Sequence, residues 1–230
     1  MLMKQLFLLS WTSFLIFSGY SQSSIDSILL LNGKVIEGKI TGFAEVKNDS
    51  VIKYTDVAGK QGEVANYRVF SYYKDKKQKV VYRRDEFSGN YLSVTETKAV
   101  TYGSYDARQT FKPHVALWTG FALGLGASLT DTYLSKKEAA NADTVEPLTP
   151  GFFKRSPSWF PFLVPPVVTV SWAFPTFKLK KKKIIHGEYY NDENFYRGYH
   201  RIAKQKRMLS GLGGSIAGVA VGMGLYYIVN

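Results

Sequence analysis

Residues 208–229 read MLSGLGGSIAGVAVGMGLYYIV, a run of 22 residues without a charge. At about 1.5 Å per residue, a helix of that length crosses the hydrocarbon core of a bilayer. Gly214, Gly218 and Gly222 recur at every fourth position. On a helix this spacing leaves a bare strip, against which a second helix packs backbone to backbone. Residues 115–129 offer that partner: they are apolar apart from Thr119 and Ser128, and Gly120, Gly124 and Ala127 repeat the small-residue spacing. The expectation is a Gly-rich transmembrane helical hairpin of 114–134 and 208–230. Its helix-packing positions are Gly120, Gly124, Gly214, Gly218 and Gly222, and Asp131 lies near the far interface.

The 230-residue chain leaves room for one or two small domains around these segments. Net charge is +12 and unevenly placed: residues 135–207 hold 14 Lys and Arg against 6 Asp and Glu, residues 23–113 only 15 against 11. There is no cysteine, which excludes disulfides, thiol chemistry, cysteine metal sites and a lipoprotein-type anchor. At the N-terminus, Lys4 precedes a 12-residue apolar run, 6–17, and Gly19 and Ser21 follow it. The run is short for a span and its downstream flank is small, so 1–21 reads as a secretory signal peptide.

Residues 22–88 carry strand signals. Asn32-Gly33 between short apolar runs marks a hairpin with two positive-φ residues, and further strands are expected over 50–55, 63–73 and 79–83. Several short strands over some 60 residues point to a small SH3-like β-barrel. The aromatics Tyr67, Phe70, Tyr72, Tyr73 and Tyr82 read as barrel filling and rim before they read as a binding surface. Residues 30–43 resemble the first half of the Sm-like motif, in which a strand bends at a glycine after an NG turn. The resemblance implies a barrel shape and carries no function.

A helical connector follows over 89–113. Ser93 and Glu96 form a capping-box signature, opening a helix that Gly103 is expected to interrupt. Asp106 and Arg108 are too close in sequence to pair on one helix face and receive no role. Beyond the polar loop 135–158, residues 159–176 are apolar but contain Pro161, Pro165, Pro166 and Pro175. They are expected to form a re-entrant segment or third span, with a short helix from Val167.

Residues 177–207 form a basic loop, ending in an amphipathic helix around 195–204 that lies on the membrane. Lys180, Lys181, Lys182, Lys183, Arg201, Lys204 and Arg207 are candidates for anionic lipid head groups; the competing reading is that these charges only set topology. With two spans, 135–207 faces the cytoplasm and obeys the positive-inside rule.

No metal spacing, nucleophile elbow, phosphate loop or dinucleotide fingerprint occurs, so no catalytic, cofactor or metal residues are assigned. His114, His186 and His200 are far apart in sequence. The stretches GNYLSVTETK (89–98), YDAR (105–108) and GYHRIAKQKR (198–207), with the NG-containing β region and Gly-rich ends, resemble uncharacterised exported membrane proteins of the Bacteroidetes type. The resulting expectation is an α+β, non-enzymatic, membrane-anchored envelope protein. It presents a periplasmic β domain from a bacterial membrane, the inner one, as a structural or interaction module. Its partners are membrane lipid and an envelope protein or a second copy, not nucleic acid. The alternative is an oligomeric channel or transport component whose glycine faces pack between subunits.

Overall fold

The computed structural model describes residues 25–46, 49–87, 89–142, 158–175, 179 and 181–229. The signal segment 1–21, most of the loop 135–158 and Lys180 lie outside the described residues. The chain is α+β and divides into two compact units, Met1–Leu30 with Val35–Arg83, and Leu31–Lys34 with Arg84–Asn230.

The first unit is one antiparallel sheet of six strands: β1 (Asp26–Leu30), β2 (Val35–Val46), β3 (Asp49–Asp56), β4 (Gln61–Ala65), β5 (Val69–Lys74) and β6 (Lys77–Val80). Their spatial order is β4-β3-β2-β1-β5-β6, an open sheet and not the closed barrel expected. The end strands β4 and β6 are five and four residues long. They carry Glu63, Lys77 and Lys79, the short charged form that discourages further pairing. Ile28, Leu30, Ile40, Ile52, Val64 and Val69 make the core. The sheet bends where the β2–β3 register shifts between Ile40 and Gly42. There the buried Asp26 side chain accepts the Ile40 amide at 2.9 Å.

Two local expectations change. The stretch 63–73 is not one strand, because Asn66–Arg68 forms a 3-10 turn between β4 and β5. In the Asn32-Gly33 turn only Gly33 has positive φ (75°). The tight two-residue loop with both φ positive is Asp75-Lys76 (49° and 62°), closing β5 onto β6. Phe70 and Tyr82 are buried, whereas Tyr67 and Tyr73 are exposed.

The second unit has four α-helices among the described residues: α1 (Val94–Thr110), α2 (His114–Ala142), α3 (Phe160–Ser171) and α4 (Glu193–Val229). The Ser93–Glu96 capping box opens α1: the Glu96 amide donates to Ser93 Oγ at 3.3 Å and the Ser93 amide to Glu96 Oε2 at 2.8 Å. Gly103 does not interrupt α1. It lets α4 approach, since a Cβ there would overlap the Phe195 carbonyl oxygen. Pro113 separates α1 from α2. Lys206 of α4 caps the carbonyls freed at the break, donating to Ala107 O at 3.2 Å, Phe111 O at 3.1 Å and also Arg108 O.

The expected surface helix around 195–204 and the last span are one helix, α4, of 37 residues and about 55 Å. Phe195, Tyr199, Ile202 and Ala203 are buried against α1, so the face assigned to the membrane surface is used inside the chain. Helix α3 begins at Phe160, seven residues before the expected start at Val167, and contains Pro165 and Pro166. Pro161 sits in its first turn, where a missing N–H costs nothing.

The largest correction concerns direction. Gly214 lies against Leu117 and Phe121, Gly218 against Phe121 and Leu125, Gly222 against Ser128. Residue numbers rise together, so α2 and α4 run parallel and do not form a hairpin. Helix α1 continues the same course, with Val100 at Gly198 and Ala107 at Lys206. Helix α3 runs back: Ser158 is bound to Asp131 of α2, Trp172 lies at Gly211 of α4, and Arg207 Nη2 donates to the Pro175 carbonyl at 2.7 Å. The start of α2 and the start of the uncharged half of α4, near Met208, therefore both point toward α1 and residues 181–190. The helical hairpin expected of 114–134 and 208–230 is overturned.

Candidate functional site

The α2–α4 crossing is built from backbone. A Cβ on Gly214 or Gly218 would overlap the carbonyl oxygen of Leu117 or Phe121; on Gly120 or Gly124, that of Gly211 or Ser215. Gly222 meets the Ser128 side chain, whose hydroxyl donates to Val219 O at 3.2 Å. The contacts repeat turn by turn: Gly120 meets Gly211 and Ser215, Gly124 meets Ser215 and Val219, and Gly222 meets Ser128. One chain thus imitates a two-fold pair of parallel helices, and the five glycines expected to pack helices all lie in it. Gly126, Gly213 and Gly224 instead meet open space.

Outward from this seam the bundle is apolar. Trp118, Leu123 and Leu129 on α2 are exposed, as are Phe162, Leu163, Val167 and Val170 on α3 and Leu209, Ile216 and Val221 on α4. One helix among the described residues is long and apolar enough to cross a membrane, Glu193–Leu225, and only 33% of its most apolar window is buried in the chain. Asp131 is buried within the bundle, 1% exposed. It accepts the Ser158 amide at 3.0 Å and the Ser158 hydroxyl, and that hydroxyl accepts the Phe160 amide at 3.1 Å. The carboxylate so completes the N-terminus of α3, where negative charge is favoured.

The opposite end contains a cluster that local sequence reading missed. Asp106, in the fourth turn of α1, is fully buried. Its Oδ2 accepts the amides of Ile185 and His186 at 2.8 and 2.9 Å, and its Oδ1 the His186 Nδ1–H at 2.6 Å. The His186 ring stacks on Tyr102 at 4.2 Å between centroids, with Tyr105 edge-on at 5.7 Å. Lys98 bonds the Tyr189 hydroxyl, which raises its pKa above the usual lysine range; burial works against this. Ser104 Oγ donates to Gly198 O at 3.3 Å. A Cβ on Gly198 would overlap the Val100 carbonyl oxygen. The small-residue series Ala99, Gly103, Ala107, one every fourth position, was the available signal for this helix contact. Asp106 and His186 stand 80 residues apart and had none.

The candidate head-group residues divide. Lys181, Lys182 and Lys183 form an exposed 3-10 turn. Arg201 is exposed, with Nη2 3.4 Å from Ser104 Oγ, and Lys204 is half-buried. Arg207 is 6% exposed and bound to Pro175, so it is spent on holding α3. No group of three or more His, Cys, Asp or Glu side chains positioned for a metal occurs among the described residues. Compared with known proteins, the chain matches no family model, no curated protein and no solved structure.

Proposed function

We propose that this chain is a non-enzymatic, membrane-embedded envelope protein that carries its six-stranded sheet as a structural or interaction module. The supporting observation is the outward apolar surface of α2, α3 and the second half of α4 around a seam already closed by glycines. A soluble bundle turns such side chains inward, and a contiguous exposed apolar surface marks a membrane or a partner. In this reading the bundle crosses the bilayer with α2 and α4 in one direction and α3 in the other. Residues 158–175 make the return stretch, because the 12-residue α3 covers only about 18 Å. The signal-like residues 1–21 export the end that carries α1, which leaves the C-terminus across the membrane, in the cytoplasm if the membrane is the inner one. The resemblance to exported Bacteroidetes-type membrane proteins agrees with this. The oligomeric channel has less support, since its glycine faces already meet each other within one chain.

Reporter fusions at residue 113, within 143–157 and at the C-terminus test the reading. The expected pattern is outside, inside and inside. An external C-terminus restores the two-span topology, and extraction of the full chain from membranes by alkaline carbonate refutes embedding.

A further inference from the structure

We infer that Lys181–Lys183 form a fixed binding face for the phosphate head groups of anionic phospholipids, held in place by the Asp106–His186 latch. The inference rests on the bilayer reading above and adds the lipid class and the residues. Two explanations competed for these charges, topology setting and lipid binding. Topology setting requires them on the side away from an exported domain. The parallel course of α2 and α4 puts them instead at the α1 end, beside the start of both apolar helices. Their concentration there is what an anionic surface attracts.

The geometry also shows why the lysines are not simply a solvated run. Directly after Lys183, Ile184 packs into the α1–α4 core. The next two amides and the His186 ring are then claimed by the buried Asp106. Tyr190 donates to Leu179 O at 3.3 Å on the other side of the turn, and Lys181 lies 6.0 Å from the Tyr190 ring centroid. The turn is thereby pinned at both ends. Asp106 precedes the first residue of α2 by eight positions, about 12 Å along a helix. The head-group layer is about 5–8 Å deep on each face, and lysine side chains reach across the difference. Of the acidic residues nearby, Asp192 accepts the amides of Asn194 and Phe195 at the start of α4.

Spin-label resonance on the full chain in mixed vesicles tests this, with spin-labelled phosphatidylglycerol compared against phosphatidylcholine in the protein's first lipid shell. Wild type is expected to prefer phosphatidylglycerol at least twofold. Changing Lys181, Lys182 and Lys183 together to Gln should bring the ratio close to one, with the amount of immobilised lipid unchanged. Asp106→Asn makes the decisive second variant, because it removes one negative charge while weakening the latch. A held face predicts a lower preference; general attraction to a basic protein predicts a higher one. An unaltered ratio in the triple variant, or a raised one in Asp106→Asn, overturns the inference. If Asp106→Asn does not fold, the triple variant alone decides. Absence of any immobilised lipid condemns the bilayer reading itself, a result distinct from immobilised lipid without preference.

Discussion

Helix α4 meets two neighbours in turn, α1 along 195–206 and α2 along 211–222, and the two halves are held by different chemistry. Along α1 the contact mixes small residues with aromatic rings and side-chain hydrogen bonds: Phe195 and Tyr199 fill, Ser104 and Lys206 bond backbone carbonyls, and Asp106 binds the preceding turn. Along α2 nearly everything is backbone against backbone at glycine, with one hydroxyl bond from Ser128. In water the first kind of seam gains from burying apolar area. In lipid the tails are as apolar as the side chains, so helices gain little from burial and depend on close approach. The change of chemistry along one continuous helix is what the proposed bilayer reading requires.

The comparison breaks first at Asp106. Asp106→Ala leaves two amides and an imidazole without their carboxylate, and is expected to destabilise the helical unit by about 3–5 kcal/mol. The expected sign is an early loss of ellipticity in urea titrations of the detergent-solubilised chain. If the unfolding midpoint stays put, the latch contributes nothing to stability.

On the glycine side, Gly218→Ala sets a methyl against the Phe121 carbonyl and the Leu125 amide, an overpacking cost of about 1–3 kcal/mol. Gly213→Ala, facing open space on the same helix, should instead stabilise by up to about 1 kcal/mol through helix propensity. Equal effects of the two substitutions would show that the parallel α2–α4 contact is wrong.

The smallest effect belongs to the cap of α1. Ser93→Ala should cost about 1 kcal/mol. Hydrogen bonds from Ser93, side chain first and then backbone, hold the Glu96 pKa below the ordinary carboxylate range. A depressed folded pKa stabilises the fold above the unfolded value, and that contribution fades as pH falls through the folded one. Acid titration of stability should therefore show a component between those two values that vanishes in Glu96→Gln.

Local signals were readable where neighbours in sequence are neighbours in space. Ser93 and Glu96 announced their cap, and the glycines at 120, 124, 214, 218 and 222 announced close helix contact. Strand signals were partly readable: the β region was recognised, but Asp75-Lys76, with no glycine, gave no sign that it would be the tight turn. The closed barrel failed because closure depends on whether the end strands meet, a long-range matter that turn residues do not encode.

By itself, then, the sequence determined that this chain has a β region, a capped connector and two glycine-striped apolar helices with a proline-rich stretch between them. Each follows from backbone preferences and periodicity within a few turns. Only the tertiary structure decided that the striped helices run parallel. A small residue every fourth position fits either direction equally, and the choice rests on the return path of 158–175 and its ties to Asp131 and Arg207. Only the fold, too, brought Asp106 to His186, because burying a carboxylate requires partners, and these come from Ile185 and His186, 79 and 80 residues along the chain. With that direction decided by the fold, Lys181–Lys183 stand beside α1 and not at the far end of the bundle.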